Sequence, residues 1–132
     1  MATITKLEEL EIWQLARSYS KGISELLRSD VFKQELGLKQ QMKNASGSIM
    51  DNIAEGFGKG SKNEFVNHLT IAKGSAEESR SQLYRCKDQE LITEIRFNDL
   101  YHQSDILIKR TTGLINYLNI SSLKGSKFKN RQ

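Results

Sequence analysis

Phe65, Leu69, Ala72, Ala76, Ser79, Leu83 and Cys86 recur at alternating steps of four and three, the spacing of one face of an α-helix. A stripe kept this long predicts a long helix with one buried, coiled-coil-like seam. Phe97, Leu100, Ser104, Leu107, Thr111, Leu114 and Leu118 repeat the rhythm downstream. Upstream, Leu10, Trp13, Ala16, Tyr19, Ile23 and Leu26 form another stripe, and Leu38, Met42, Ala45, Ile49 and Ile53 a fourth, approached through Phe32 and Leu36. No proline interrupts any of them, and the 132-residue chain contains none, where average usage would supply roughly seven. Proline costs ~3 kcal/mol inside a helix and suits turns, so its absence predicts long helices joined by short connections.

Helices are expected over about residues 6–28, 31–56, 62–90 and 94–119. Thr5 with Glu8, and Ser61 with Glu64, form capping-box patterns at two starts. Ser29-Asp30 marks the first turn, Gly56 suits a helix C-cap, and Thr93 opens the last helix. Short joints force neighbours to run antiparallel, so the expected fold class is all-α, an antiparallel up-down-up-down four-helix bundle over residues 1–121. Only 37% of residues are apolar, which gives each helix one buried stripe and leaves room for burial against a partner subunit. Gly22, Gly47, Gly74 and Gly113 fall near the helix centres. Gly47 among Ala45, Ser46 and Ser48, and Gly74 beside Ser75 and Ala76, predict that the second and third helices approach most tightly.

The chain has 20 Lys and Arg against 16 Asp and Glu, a formal charge of +4. The whole excess lies in the last twelve residues, SSLKGSKFKNRQ, where Lys124, Lys127, Lys129 and Arg131 meet no acid. Residues 122–132 therefore read as a solvated basic tail, and the bundle as electrically balanced. No apolar run reaches the ~20 residues of a membrane span, and a single cysteine, Cys86, excludes an intrachain disulfide framework. The expectation is a soluble, cytoplasmic protein without a membrane partner.

Gly56-Phe57-Gly58-Lys59-Gly60-Ser61-Lys62 looks like a phosphate loop but departs from G-x-x-x-x-G-K-[ST] and joins two helices, so it reads as an interhelical turn. Glu64 and His68 lie four apart, Asp99 and His102 three apart. Both histidines flank the apolar seams, which predicts surface side chains and no metal centre or other cofactor. Cys86 sits on the seam and reads as a small core residue. No nucleophile with a base partner can be assembled, so no catalytic residue is expected and the chain reads as non-enzymatic. Arg80, Arg85 and Lys87 alternate with Glu77, Glu78, Asp88 and Glu90, a mixed solvated face. The candidates for phosphate contact are the four tail cations with Lys39, Lys43, Lys59 and Lys62, and Phe128 is placed to stack on an unpaired base.

Ser48-Ile49, Asn52-Ile53-Ala54-Glu55-Gly56 and Ile71-Ala72-Lys73-Gly74-Ser75 resemble the signature of small four-helix-bundle proteins encoded in intervening sequences of bacterial large-subunit (23S) rRNA genes. The resemblance implies a homopentamer with a central opening and no established enzyme reaction. A similar protein, the accessory variability protein of diversity-generating retroelements, partners a reverse transcriptase and binds nucleic acid. The expectation that follows is a pentameric, nucleic-acid-associated scaffold contacting RNA or DNA. The alternative is an accessory protein for a reverse transcriptase. Asn52, Glu55, Gly56, Gly74 and Ser75 carry the signature and read as structural, with Glu55 expected to pair with a base on an adjacent helix or subunit. Met50 stands where the family often has proline, which predicts a second helix without a kink.

Overall fold

The computed structural model describes residues 4–123. Helix α1 spans Glu11–Leu27, α2 Leu36–Gly58, α3 Lys62–Asp88 and α4 Glu94–Leu123, with short 3-10 turns at Leu7–Glu9 and Asp30–Phe32. Each helix packs on its neighbours in sequence, and α1 meets α4 to close an all-α four-helix bundle. The core is the set of predicted stripes: Ala16, Tyr19, Ile23, Met42, Ile49, Ile53, Leu69, Leu83, Leu100 and Leu107 are buried around one axis. Ile12 and Leu27 join them, while Trp13, Phe65, Leu114 and Leu118 are only partly covered. Across the centre, the Tyr19 hydroxyl and Ser79 Oγ share a 2.7 Å hydrogen bond. Burial pushes the Tyr19 phenol up to about 12. Arg80 ties α3 to α4 through Asp105 at 3.3 Å and lies over the Tyr101 ring.

Several boundaries differ from the expected ones, each for a local reason. The first cap closes on Glu9 and not on Glu8: its carboxylate accepts the Thr5 and Lys6 N–H groups at 3.0 Å. The chain makes a 3-10 turn there before α1 begins, and these backbone donors hold the Glu9 carboxyl below its usual range. The second helix starts at Leu36 and not at 31, because Asp30–Phe32 is a separate 3-10 turn that drives Phe32 into the core. Leu36 itself is exposed.

Gly56 does not cap α2. The helix runs unbroken through Met50 and past Gly56 to Gly58. The left-handed turn residue is Gly60, with φ +72°. Ser61 then caps α3, its Oγ accepting from Glu64 N–H at 3.4 Å, and Thr93 caps α4 through Arg96 N–H at 3.2 Å. At the other end of α3 the positive φ belongs to Glu90, at 60°. Helix α4 continues to Leu123, past the expected end at 119.

Helices α2 and α3 share the most extensive contact of any pair, but not through the predicted glycines. A Cβ added at Gly47 or Gly74 would meet nothing within 4 Å, since both face outward. Within this contact the close approach is at Gly56, where a Cβ would lie 2.6 Å from His68 Cβ; between α1 and α4 a Cβ at Gly22 would lie 2.8 Å from Leu100 Cδ2.

Candidate functional site

Beside the apolar stripe of α2, Ser48, Asn52, Glu55 and Lys59 recur at steps of four and three, and on α3 Glu64, His68 and Ser75 follow at steps of four and seven, which keeps them on one face. Packing the two ridges together joins these side chains into one polar seam. Ser48 Oγ and Ser75 Oγ lie 2.8 Å apart. Asn52 Nδ2 donates to Ser48 carbonyl at 2.9 Å and to Ser48 Oγ at 3.0 Å. Asn52 Oδ1 is then left facing His68 Nδ1 at 3.0 Å, so Nδ1 carries the proton. His68 Nε2, the acceptor of this neutral tautomer, lies 3.0 Å from Lys59 Nζ. Lys59 also reaches Glu64 at 3.3 Å and Glu55 at 3.8 Å.

The donors therefore point one way from Lys59 through His68 and Asn52 to Ser48, whose hydroxyl shares the last bond with Ser75. Such aligned bonds polarise one another and fix the register of two helices. Gly56 supplies the space, because any side chain there would collide with the His68 stem. His68 is accordingly not a surface residue: its side chain is only 12% exposed. Sequence spacing put it beside the seam; that α2 leaves a gap opposite it could be read only from Gly56, one turn beyond Asn52. His102 is exposed, as expected. Of the signature residues, Asn52, Glu55, Gly56 and Ser75 meet in this seam, and Gly74 does not. Glu55 pairs along its own chain with Lys59, not with a base on another helix.

The candidate phosphate-binding residues are not gathered. Lys39 and Lys43 lie in the first turns of α2, and Lys59 and Lys62 at the joint to α3. Some 20 residues of helix, about 30 Å, separate the two pairs. Lys59 is held by two carboxylates and His68, whereas Lys62 lines an open groove of about 520 Å³. Phe57, Phe65, Tyr117 and Leu118 form its apolar walls. Lys124, Lys127, Lys129, Arg131 and Phe128 lie outside the described residues.

Elsewhere the chemistry is muted. Cys86 is buried with Sγ 3.4 Å from Met42 Sδ, and desolvation pushes its thiol up to about 11. Among the described residues no group of three or more His, Cys, Asp or Glu side chains is placed to hold a metal ion. None of the helices among the described residues is long and apolar enough to cross a membrane.

A closed antiparallel bundle with a polar α2–α3 seam defines an all-α four-helix-bundle protein. Residues 8–113 match the family described as 23S rRNA-intervening sequence protein, and the chain belongs to that family. Its fold is similar to the crystal structure of a protein with unknown function from the S23 ribosomal protein family of Bacteroides thetaiotaomicron. The two share 24% identity with a TM-score of 0.73, over 79% of this chain and 97% of the other. No curated protein matches this sequence.

Proposed function

We propose that this protein is a non-enzymatic, homopentameric scaffold that binds nucleic acid through its basic C-terminal segment. The observation that carries the reading is the distribution of charge. The bundle is balanced, and the +4 excess is concentrated in Lys124, Lys127, Lys129 and Arg131, which follow the end of α4. Five copies would multiply those four cations fivefold on one assembly, and tethered weak contacts to a single polyanion raise avidity without a strong individual site. Recognition would be phosphate neutralisation with little sequence preference.

Assembly is supported by what the single chain leaves bare. Gly74 lies mid-helix on an outward face and Ile71 beside it is half exposed. A mid-helix glycine costs ~1 kcal/mol against alanine, and nothing among the described residues offsets that at this position. A neighbouring subunit packed against the face would.

The test is fluorescence anisotropy of labelled RNA and DNA across a salt series, with full-length protein and with residues 122–132 deleted. Full-length protein should bind with affinity that falls steeply as salt rises, and the deletion should weaken binding and flatten that slope. Equal affinity of the two forms would remove the tail from the mechanism. Absence of binding even at low salt would overturn the nucleic-acid reading and direct attention to protein partners, including the reverse transcriptase that the resemblance implies.

A further inference from the structure

Arg110, Leu114, Tyr117 and Ser121 follow at steps of four, three and four, so they share one face of α4. At Arg110 that face still meets α1: the guanidinium donates to both carboxylate oxygens of Glu11, the first residue of α1, at 2.8 Å. Helix α4 continues to Leu123, about 20 Å further, and no α1 runs beside it there. The corner left empty is the groove of about 520 Å³, walled by Phe57 and Phe65, edge to face at 6.1 Å, and by Tyr117 and Leu118. Two acids and two bases surround it, Glu55 and Glu64 with Lys59 and Lys62, so its charge favours neither an anion nor a cation. Its α4 wall belongs to residues 111–123, TTGLINYLNISSL, the longest uncharged run of the chain. A helix apolar on this many sides is normally a buried one, yet Tyr117 and Ile120 are each 52% exposed.

The second longest uncharged run, FVNHLTIA at residues 65–72, lies on α3. Asn67, Ile71 and Gly74 stand at steps of four and three on the outward face there, with Ile71 half exposed and open space beside Gly74. Helices α1 and α3 are diagonal in the bundle, each packing on α2 and α4. The groove at the α1 corner and the outward face of α3 therefore look to opposite sides of one subunit, and can meet only between copies.

We propose that α3 of a second copy lies in the groove that α1 leaves open, presenting Asn67, Ile71 and Gly74 to it. The inference rests on the homo-oligomeric reading above and gives that contact its two surfaces. Ile71 is the knob that enters between Phe57 and Tyr117, and Gly74, without a side chain, lets the two helix backbones approach closely. Charge selects this occupant: the groove walls offer a charged partner no counter-ion, and an unpaired charge buried there would be costly, whereas the α3 face carries none. The two surfaces differ, so the contact is head-to-tail, and every subunit both inserts its α3 and receives one.

Tyr117→Cys and Ile71→Cys should be made singly and together in the full-length protein and oxidised with copper phenanthroline; Cys86 is buried and stays in place. The double variant should give a covalent ladder on non-reducing gels, and each single variant should stay uncrosslinked. In sedimentation, Ile71→Lys and Tyr117→Lys should each dissociate the assembly at a concentration where wild type remains assembled. Ile95→Lys, at the other end of the bundle and 84% exposed, should leave it unchanged. Thermal melts in parallel separate loss of assembly from loss of fold. Crosslinking of either single variant to itself would reveal a symmetric contact and overturn the proposal. An assembled double variant that yields no ladder, or an assembly untouched by both lysine substitutions, would overturn it too and place the contact on other faces. Wild type that sediments as a monomer at every concentration would instead sink the homo-oligomeric reading itself.

Discussion

At Gly56 one methyl group separates a tolerated substitution from a damaging one. The Cβ of an alanine would sit 2.6 Å from His68 Cβ, the rigid stem of a side chain held at both ring nitrogens, so neither partner can give way cheaply. Gly56→Ala should destabilise the fold by about 1–3 kcal/mol. Gly58→Ala, where a Cβ meets nothing within 4 Å, is the control and should be neutral or better in the same urea melts. Cys86 offers a second test at this scale. Its thiol, pushed up to about 11, is protonated throughout the neutral range and buried against Met42. Alkylation by iodoacetamide at neutral pH should therefore be slow in native protein and fast in denaturant, at a native rate set by opening of the fold. Rapid native labelling would mean that the α3 seam opens locally at this point.

At the scale of the helix, the predicted stripes became the core because burial along a long helix is periodic, and Met42, Ile49, Leu83 and Leu107 needed no knowledge of their partners. Ser29-Asp30 was legible as a turn, but its extension as a 3-10 turn through Phe32 was not, since one apolar residue in a single turn has no period. Gly56 was misplaced for a different reason: a glycine that ends a helix and one that makes room for a neighbour look alike until the neighbour is known. The site divided along the same line. Its polar residues could be seen beside the seams, but the run from Lys59 to Ser75 depends on how α2 and α3 register against each other. Gly74 carries the prediction for α3. Replacing it with alanine favours the helix by ~1 kcal/mol in an isolated subunit. If its outward face meets another subunit, Gly74→Ala should instead shift the assembly toward smaller species on dilution, measured by analytical ultracentrifugation. Unchanged mass with a higher melting temperature would place the subunit contact on another face.

For the molecule as a whole, the helices lengthen along the chain, from 17 residues in α1 to 23, 27 and 30 in those that follow. The bundle consequently has two unlike ends. One holds the α2–α3 joint, the open groove and the departure point of the basic segment, and the other holds Lys39 and Lys43. Copies arranged about a single rotation axis all point the same way. A closed ring with its bundle axes along that rotation axis would thus be two-faced, with every groove and every α4 C-terminus on one rim and neither on the other. A strand captured there could pass from subunit to subunit around that rim without crossing the ring, so the directionality of the whole particle would descend from the shortness of its first helix.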